Sequence, residues 1–586
     1  MLGHRRLAIL DLSPAGRQPM RNEDGTVLTV CNGEIYNYPE LRAELIERGH
    51  QFSSHSDSEV IVHLYEEWGE GCVERLDGMF GLAIYDARRR RLLLARDPLG
   101  IKPVYYYADS DLLLFASEIR ALLGCPPVPR RVNMAGVESY LAFGAVPWPQ
   151  TAFAGILKVP PGHLLVVDVD GGAAPEVRPY WSVAHCEPLD GLTDEECGEK
   201  LRALLDRAVA RMLVADVPVG LFLSGGVDSS AVCSFASDHG AQPISAYTVS
   251  VEGVQDTNED AVAREVARSC RARHHTISVS WDDLIADLPL VAQQMEEPIA
   301  DYTAVAVYHL CRFAKANGIT VALVGEGGDE LLAGYDRYRK LAAVDRHLWP
   351  WFQASPRWLR SVVAGLLGPV AGVYGREVLD GGVEGAGLFW GGATGFLSAD
   401  RDKLLKRGRT ACLSLYEAGV GRVVAEQRGR GADFLQIAGS VDLTYRLPDI
   451  LLTRLDKLSM AWALECRVPF LDRSLVEFAL GLRSGLKIRR GVTKYALRRL
   501  LPDRLPEAVR VGPKRGMLGT ASAMLAGPLP EFARQQIKKS ALLREIADET
   551  VMPDILARAF NGHDKLSCYR AWVLLSLALW HAAYFE

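Results

Sequence analysis

The sequence has no closely spaced pair of cysteines. Its 11 cysteines are odd in number, are scattered over 586 residues and never form a CxxC pattern. Disulfide frameworks and zinc sites are typically built from cysteines at regular spacing. The cysteine pattern therefore argues against both a disulfide framework and a zinc site, and it favours a protein of the reducing cytoplasm.

The sequence also lacks a hydrophobic run long enough to cross a membrane. A transmembrane helix needs about 20 mostly apolar residues, whereas the longest apolar runs, 362–374 and 572–580, are too short or are interrupted by glycine. The opening MLGHRRLAILDL lacks the charged and then apolar pattern of a signal peptide. We therefore expect no membrane partner, a cytoplasmic location, and a buried core helix at the C-terminal run.

Charge of one sign does not dominate the sequence. Lys+Arg 66 and Asp+Glu 72 give a net charge of −6, and the 52 arginines and 14 lysines are spread along the chain. Nucleic-acid-binding proteins usually concentrate such charges on one face, so we expect no nucleic-acid partner. With 49% apolar and 24% charged residues, disordered, collagen-like and coiled-coil chains are excluded.

The first part of the chain, up to about Trp181, is predicted to be rich in strands. Short apolar segments such as GTVLTVCNG and GHLLVVDVDGG are bounded by Gly, Asp and Pro, which is the pattern of strands and turns. Residues 39–48 and 58–68 have the spacing of helices. We therefore predict an α+β domain over residues 1–187.

The pattern changes near residues 187–195, and a second domain is predicted over residues 188–586. Thr193 and Glu196 form a capping-box signature ahead of apolar residues at helical spacing. Beyond them, apolar segments alternate with helical stretches, as expected for a parallel sheet covered by helices. This domain is therefore predicted to be α/β, with additional helices in its C-terminal part.

A predicted strand at 219–223 runs into the glycine-rich turn SGGVDSS at 224–230. Small residues let backbone N–H groups approach phosphate oxygens, and the N-terminus of the following helix adds its positive end. Asp228 inside such an anion loop is best explained as a ligand of Mg²⁺ that arrives with the phosphates. A tight turn without a ligand is the alternative interpretation.

The turn SGGVDSS resembles the pyrophosphate loop of the N-type ATP pyrophosphatases, which cleave ATP to AMP and pyrophosphate while activating a carbonyl or carboxylate. It differs from the GxxxxGK[ST] loop because no lysine follows the glycines. The resemblance implies an ATP site, with an apolar slot for adenine at the ends of neighbouring strands. The expected ATP-binding residues are Leu223, Ser224, Gly225, Gly226, Asp228, Ser229, Val249, Val324 and Gly325.

A second glycine-rich turn, GEGGDE at 325–330, places three acids within five residues. Such acids repel one another unless a cation or a proton relay lies among them; a solvated acidic turn is the alternative. GEGGDELLAGY resembles the asparagine synthetase motif, which implies that Asp329 joins Asp228 in holding Mg²⁺ and that Glu326 supports formation and breakdown of an acyl-adenylate. β-Lactam synthetases typically carry Tyr at the first acidic position, so Glu326 favours the asparagine synthetase family.

Further segments of the second domain resemble the same family. LTRLDKLSMAWALECRVPFLD resembles the segment behind the acyl-acceptor site, where Arg467 is suited to bind an aspartate carboxylate or the ATP phosphates. A structural ion pair with Glu465 is the alternative for this arginine. Lys494 matches the lysine that the family brings to the adenylate and pyrophosphate. Lys514 matches a lysine of the family's RxKxGF-type loop, and Asn258 stands in a turn near the nucleotide where the family has an acid.

Residues 3–181 resemble the class II glutamine amidotransferase domain, since NGEIYNY, HSDSEV and RDPLGIKPVYY follow in the family's order. The resemblance implies an Ntn-type αββα fold. It also implies that Asn32 and Gly33 form the oxyanion hole and that Glu34 and Asp57 bind the α-amino group of glutamine. Without the resemblance, Asn32-Gly33 is only a turn signal.

The nucleophile of that family is an N-terminal cysteine whose own amine acts as the base. This sequence begins Met1-Leu2-Gly3, and Cys31 is predicted to be a buried strand residue. Two explanations are open: a true start further upstream, which we favour, or an ammonia-dependent ligase with a vestigial domain. We therefore expect the first domain to be incomplete at its N-terminus and the chain as given not to hydrolyse glutamine.

Together the motifs predict asparagine synthetase chemistry, in which ATP activates the β-carboxylate of aspartate and nitrogen comes from glutamine, or from ammonia in the chain as given. The expected cofactors are ATP and Mg²⁺, and the expected catalytic residues are Glu326, Lys494 and Arg467. Two alternatives stay open: an amide-forming or ring-closing ligase of natural-product biosynthesis, and a non-catalytic homologue. The sequence sets no oligomeric state, and a homodimer is compatible with it.

Overall fold

The computed structural model describes residues 1–170, 174–240, 243–252, 259–368, 371–384, 388, 395–406, 413–512, 528–561 and 564–586. Asn258, expected near the nucleotide, and Lys514, matched to the family's RxKxGF-type loop, lie outside the described residues. In the described part of the chain, no helix combines the length and the apolar character that crossing a membrane requires.

The strands of the first half are β1 (Met20–Arg21), β2 (Val27–Ile35), β3 (Gly78–Asp86), β4 (Arg91–Arg96), β5 (Tyr105–Ala108), β6 (Leu113–Ala116), β7 (Ile156–Lys158), β8 (His163–Asp168) and β9 (Glu176–Pro179). Its helices are α1 (Tyr38–Glu47), α2 (Val60–Trp68), α3 (Ile119–Leu123) and α4 (Met134–Phe143), with short 3₁₀ helices at Pro14–Gly16, Asp57–Glu59, Gly69–Arg75 and Val183–His185.

Two antiparallel sheets stack face to face in the first half. The larger has the order β1-β2-β3-β4-β8-β9, and the smaller has the order β6-β5-β7. Val30, Leu94 and Tyr106 belong to a buried cluster between the two sheets, while the other face of the larger sheet packs against α1 and α2. This layered α+β arrangement confirms the predicted fold class of the first domain.

The second half contains β10 (Val219–Phe222), β11 (Ser245–Val251), β12 (Arg273–Val279), β13 (Val321–Leu323) and β14 (Glu465–Arg467). The helices between and before these strands are α5 (Asp194–Met212), α6 (Val227–His239), α7 (Glu259–Ser269), α8 (Trp281–Met295), α9 (Ala304–Ala316), α10 (Gly328–Leu331), α11 (Asp336–His347), α12 (Trp349–Ala354), α13 (Arg357–Leu367), α14 (Gly372–Val383), α15 (Ser398–Leu404), α16 (Leu413–Gly429), α17 (Phe434–Val441), the π-helix Asp442–Leu452 and α18 (Thr453–Met460).

After β14 the described chain is helical. It comprises the 3₁₀ helix Pro469–Leu471, α19 (Arg473–Gly481), α20 (Ser484–Lys487), α21 (Tyr495–Leu500), α22 (Glu507–Arg510), α23 (Leu529–Lys539), α24 (Ala541–Ile546), α25 (Val551–Asn561) and α26 (Lys565–Phe585). The apolar run 572–580 lies within α26 and is largely buried, which confirms the predicted core helix.

The sheet of the second half is parallel throughout and has the order β12-β11-β10-β13-β14. The chain builds outward from β10 in one direction to β12, then returns to place β13 on the other side of β10. In such a sheet the crevice for a ligand opens at the carboxyl ends of the strands where the order reverses, here those of β10 and β13. The predicted α/β fold class is confirmed.

Helix α5 begins the second half with the predicted capping box. Glu196 N donates to Thr193 Oγ1 at 3.2 Å, and Thr193 N donates to Glu196 Oε2 at 2.9 Å. These two bonds satisfy backbone donors that a helix start leaves without partners. The predicted domain division at residues 187 and 188 falls between β9 and this helix, and the exact boundary stays a prediction.

The two halves share a core and several buried ion pairs. One continuous apolar cluster includes Tyr105 and Phe153 of the first half together with Trp580 near the C-terminus. Lys102 Nζ lies 2.9 Å from Asp456 Oδ1, with both side chains buried. The first half is therefore packed against the sheet and helices that hold the crevice of the second half.

Candidate active site

The turn after β10 has the geometry of a cradle for an anion. Gly225 has a positive φ of 68°, and α6 begins directly after Gly226. Within the turn, Ser224 N donates to Ser229 Oγ at 3.2 Å, and Gly226 N donates to Ser224 Oγ at 3.3 Å. The positive end of a thirteen-residue helix thus points to the mouth of the turn, where it favours phosphate.

The two glycine-rich turns pack directly on each other, and this contact requires glycine. A Cβ at Gly325 would lie 2.7 Å from Ser229 N, and a Cβ at Gly328 would lie 2.5 Å from the carboxylate carbon of Asp228. Real Cβ atoms do not approach so closely. The second turn therefore carries glycines because the first turn occupies the space that side chains would need.

Lys494 joins the two aspartates that the sequence assigns to Mg²⁺. Its ammonium group contacts Asp228 Oδ2 and lies 2.7 Å from Asp329 Oδ1. Burial lowers the pKa of Lys494, but the two carboxylates outweigh this effect and raise the pKa above its ordinary value. Lys494 directly precedes α21 and has a left-handed backbone conformation, with φ 52°.

The donor set around this lysine fits a divalent cation with phosphates. Asp228 and Asp329 supply carboxylate oxygens, which are the ligands that Mg²⁺ prefers. Two carboxylates and one ammonium leave one negative charge in excess, so the cluster has room for further positive charge. Gly334 admits this arrangement, because a Cβ there would lie 1.8 Å from Asp329 Oδ1.

Glu326 lies at the same mouth and is held by Arg454 of α18. Arg454 Nη2 donates to Glu326, while Arg454 Nη1 donates to Asp301 Oδ2 and Thr303 Oγ1, each at 2.5 Å. Burial raises the pKa of Glu326, the arginine opposes the rise, and neighbouring acids such as Asp301 add to it. The net effect is a pKa raised above the ordinary value of glutamate, so Glu326 is a stronger base than an exposed glutamate.

Each of the three acids in the second turn pairs with a cationic side chain. Asp329 pairs with Lys494, Glu326 pairs with Arg454, and the Oε1 atom of Glu330 lies 3.2 Å from Arg446 Nη1. The expected repulsion is therefore relieved by protein cations. Glu330 also accepts a hydrogen bond from Tyr335 at 2.6 Å, so it serves to hold the turn.

These residues surround one cavity of about 160 Å³ at the ends of β10, β11 and β13. Of the ATP-binding residues expected from the sequence, all but Gly225 line it, together with Glu326, Asp329 and Lys494. The lining residues that the sequence did not indicate are Phe222, Val227, Tyr247, Thr248, Leu310, Gly334, Thr493 and Arg498. The apolar members form a slot of the kind that suits an adenine ring.

Arg467 is not part of this cavity, contrary to the expected contact with aspartate or ATP phosphates. Its Nε atom donates to Glu465 Oε1 at 2.8 Å, and its Nη1 atom donates to the carbonyl oxygens of Met212 and Val214. Its Nη2 atom lies 3.3 Å from Glu34 Oε2. The ion pair with Glu465, which was the alternative interpretation, is therefore present. Arg467 lies on β14 with its side chain turned towards Glu34 of the first domain.

The motifs in the sequence do not indicate Arg454. Unlike Arg467, this arginine pairs with a residue that lines the cavity, Glu326. Arg454 lies in α18, three residues before Lys457, and it is almost fully buried. A buried arginine amid apolar residues needs a carboxylate partner. That pattern was a signal available in the sequence.

The glutamine-binding residues expected from the sequence line a second, smaller cavity in the first domain. Asn32, Gly33, Glu34 and Asp57 surround it, together with Cys31 and residues 4–7. Gly33 has a φ of 140°, and a Cβ there would lie 1.9 Å from the carbonyl oxygen of Met79. Glycine is therefore required at this position in β2.

Glu34 and Asp57 are both buried in this cavity. Burial and the proximity of Asp57 raise the pKa of Glu34 well above its usual range, against the opposing effect of Arg467. Burial likewise raises the pKa of Asp57, although Ile35 N donates to its Oδ2 atom at 2.7 Å. Two acids that resist ionisation are suited to bind a cationic group, which would restore their charged form.

Cys31 is buried on the same strand, as the sequence predicts. Its backbone is fixed by Gln18, which accepts from Cys31 N at 2.6 Å and donates to Cys31 O at 3.1 Å. Burial and the nearby carboxylates of Asp57 and Glu34 raise the pKa of its thiol well above the ordinary value. A neutral thiol is a poor nucleophile, so the geometry argues against Cys31 as the attacking group.

The fold and the two cavities define a two-domain protein, with an amidotransferase-like domain packed on an α/β nucleotide-binding domain. The "Glutamine amidotransferase domain" family matches residues 1–181, and the "Asparagine synthase" family matches residues 200–582. The chain belongs to the asparagine synthase family.

Similar proteins carry related names. Asparagine synthetase [glutamine-hydrolyzing] 1 of Bacillus subtilis is 32% identical over 590 residues, covering 100% of this chain and 90% of the relative. The putative asparagine synthetase [glutamine-hydrolyzing] of Mycobacterium bovis is 32% identical, with 100% and 89% covered. Amidase chry2 of Gibberella zeae is 27% identical, with 97% and 88% covered.

Proposed function

We propose that the chain is an ATP-dependent ligase that converts aspartate to asparagine. The β-carboxylate of aspartate would attack the α-phosphate of ATP and release pyrophosphate, and ammonia would then displace AMP from the acyl carbon. The observation that carries the proposal is the meeting of Glu326 with the Asp228–Lys494–Asp329 cluster at one cavity. This arrangement places a base beside a site for a departing polyphosphate.

The cluster would manage the charge of the first step. Backbone N–H groups of the turn at 224–230 would bind phosphate oxygens, and Lys494 would place its ammonium group against them. Asp228 and Asp329 are the residues that would hold Mg²⁺. When bound, Mg²⁺ supplies charge neutralisation for the pyrophosphate as it leaves.

Glu326 would serve the second step. Its raised pKa makes it a suitable acceptor for the proton that the attacking ammonia must lose, since a general base works best when its pKa approaches the working pH. Arg454 would keep this carboxylate aimed at the reacting carbon, because it is itself fixed by Asp301 and Thr303.

The first domain would bind glutamine as the nitrogen donor. Glu34 and Asp57 would bind the α-ammonium group of glutamine, which relieves their unfavourable burial. The side-chain amide of Asn32 and the N–H of Gly33 would face the oxygen of the tetrahedral intermediate. Free ammonia would serve as an alternative donor, since it needs only to reach the acyl-adenylate.

The proposal is tested by incubating the full chain with ATP, Mg²⁺, aspartate and ammonium. We expect asparagine, AMP and pyrophosphate in equal amounts, and no pyrophosphate when aspartate is omitted. Because one similar protein is named an amidase, other carboxylate and amine pairs belong in the same assay. Pyrophosphate that forms only with such a pair would identify a different amide-forming ligase, and its absence under all conditions would indicate a non-catalytic homologue.

A further inference from the structure

Two histidines and two glutamates converge on the first domain, away from both cavities. Glu23 follows β1, His50 follows α1, and His63 and Glu66 lie one turn apart on α2. One ligand atom from each residue lies within 4.8 Å of the other three. We call the cavity at the ends of β10, β11 and β13 the ATP cavity, and the smaller cavity around Asn32 and Asp57 the glutamine cavity. None of the four residues lines either cavity.

The spacing of these atoms matches the edges of a tetrahedron around a small metal ion. His50 Nδ1 lies 3.1 Å from Glu23 Oε1 and 3.7 Å from Glu66 Oε2. His63 Nδ1 lies 3.3 Å from Glu23 Oε2 and 3.4 Å from Glu66 Oε2. Ligands 2.0–2.1 Å from a tetrahedral Zn²⁺ are about 3.3 Å apart. Whichever oxygen of Glu23 is taken as the ligand, three of the six edges are between 3.1 and 3.7 Å long, which is close to that length.

The outer nitrogen of each histidine faces a further carboxylate. His50 Nε2 lies 3.4 Å from Glu67 Oε1, and His63 Nε2 lies 4.0 Å from Glu59 Oε1. A metal-bound histidine usually donates its other ring N–H to a carboxylate or carbonyl, which fixes the tautomer and the ring orientation. His50 therefore has a hydrogen-bond partner that would leave its Nδ1 deprotonated and turned towards a metal. Glu59 lies on the corresponding side of His63 but beyond hydrogen-bond distance.

The two glutamates are also held in place. Glu23 Oε1 accepts a hydrogen bond from Gln51 N at 2.9 Å, and Glu66 Oε1 accepts one from Asn22 Nδ2 at 2.7 Å. These bonds direct the carboxylates towards the histidines before any ligand arrives. Prepositioned oxygens lower the cost of forming a metal site.

A simple ion-pair cluster explains this arrangement less well. Charged forms of His50 and His63 would place two positive rings with their centroids 4.9 Å apart, which is a repulsive contact. One charged ring avoids this repulsion but leaves the carboxylates of Glu23 and Glu66 with at least one negative charge in excess. A divalent metal ion balances both carboxylates and binds neutral imidazole.

We propose that Glu23, His50, His63 and Glu66 form a binding site for Zn²⁺. Zn²⁺ accepts nitrogen and oxygen ligands in tetrahedral geometry and has no redox chemistry. Bound there, it links the turn before β2, the loop after α1, and α2. The expectation of no zinc site rested on cysteine spacing, which carries no information about a site made of histidine and glutamate.

The test is direct titration of the full chain, freed of metal with a chelator, with Zn²⁺ in the presence of a competing chelator. We expect one Zn²⁺ per chain to bind at this cluster. Co²⁺ bound in its place should show the visible absorption of tetrahedral coordination. His50→Gln and Glu66→Gln should each weaken that binding at least 100-fold, and Glu67→Gln should weaken it about tenfold. Glu47→Gln, an exposed carboxylate change on α1, should leave it unchanged.

Unfolding temperature gives a second reading of the same site. Zn²⁺ should raise the unfolding temperature of the parent chain and of Glu47→Gln, but not that of His50→Gln or Glu66→Gln. His50 and Glu66 are partly exposed, and if one variant fails to fold, the other decides. Unchanged Zn²⁺ affinity in a folded His50→Gln or Glu66→Gln variant, or absence of binding in the parent chain, would overturn the proposal.

Discussion

At the scale of single residues, the ATP cavity depends on a cation held between two acids. Asp329→Asn removes one of the charges that fix Lys494, and it removes an expected ligand of Mg²⁺. We expect pyrophosphate release to fall about 100-fold, the order found when one preorganised electrostatic partner is lost. Asp329 is 24% exposed, so the fold should survive. Steady-state pyrophosphate release and circular dichroism measure the two effects.

The matched control is Asp336→Asn, which changes a carboxylate that is 72% exposed at the start of α11. This variant should keep parent activity, because a surface ion pair contributes little. Parent-like turnover of Asp329→Asn at ordinary Mg²⁺, or loss of its fold, would contradict the role assigned to Asp329.

Glu326→Gln keeps the shape of the side chain and removes its basicity. We expect kcat to fall at least 100-fold with little change in KM for ATP, since general-base catalysis typically contributes that much. The parent kcat should also fall as the pH drops through the raised pKa of Glu326, because the carboxyl group is then protonated. That acid limb should be absent from the pH profile of the variant. Ammonium-dependent asparagine formation at the parent rate would remove Glu326 from the reaction.

The sequence could predict Asp228, Glu326 and Asp329 as neighbours because each follows a strand of one parallel sheet. Lys494, 165 residues after Asp329, could be placed near them only through the family resemblance, and its own segment gave no sign that it would lie between the two aspartates. Contacts between distant segments depend on how helices return to the sheet, and periodicity within a segment carries no such information. Arg467 was misplaced for the same reason.

At the scale of elements, four of the five parallel strands were predictable from their apolar segments. β14 was not, because its three residues, Glu465–Arg467, include two charged ones. Its charges are tolerated in the sheet because Arg467 pairs with Glu465 and reaches Glu34 of the other domain. A strand at a domain contact therefore lacks the pattern by which buried strands are recognised.

The contact between the two glycine-rich turns can be tested at Gly328. In Gly328→Ala the new methyl group would meet the carboxylate of Asp228 at 2.5 Å, so this carboxylate or one of the two turns must shift. We expect pyrophosphate release to fall at least tenfold and the unfolding midpoint in denaturant to decrease. Both are measured on the full chain.

Gly365→Ala is the control for Gly328→Ala. Gly365 lies within α13, and a Cβ there has nothing within 4 Å. Alanine at an open helical position should raise the free energy of unfolding by up to about 1 kcal/mol and leave activity unchanged. Equal effects of the two substitutions would mean that the packing of the turns is unimportant.

At the scale of the whole molecule, Asp456→Asn tests the contact between the halves. The change leaves the ammonium group of Lys102 buried without its carboxylate, and breaking a buried pair in this way costs about 3–5 kcal/mol. We expect the free energy of unfolding to fall by about that amount in urea. Lys102→Met combined with Asp456→Leu should recover most of the loss. A loss below about 1 kcal/mol would show that the contact contributes little.

The nitrogen source is a second property of the whole chain. Among the described residues around the glutamine cavity, Cys31 is the only cysteine, and its buried thiol has a raised pKa. We therefore expect these 586 residues to make asparagine from ammonium and not from glutamine. Asparagine is measured by chromatography with each donor, and Cys31→Ser is the control, which should leave ammonium use unchanged. Glutamine-dependent synthesis by the parent chain would show that another nucleophile serves.

The order of the two domains could be predicted from the sequence, but the residues through which they pack against each other could not. An alternating strand looks the same whether its buried face meets its own domain or another, as the shared cluster around Tyr105 and Trp580 illustrates. Only Lys102 gave a hint, since it is a charged residue beside the apolar and aromatic stretch at 103–107.

One apolar core runs through both halves. We therefore expect the chain to unfold as one cooperative unit and not as two independent domains. Cutting the chain between them would leave each piece with a large water-exposed apolar face, including the surroundings of Trp580. Such faces drive aggregation in isolated fragments. The amidotransferase half is therefore also a structural support, and its loss would deprive the nucleotide-binding half of part of its interior.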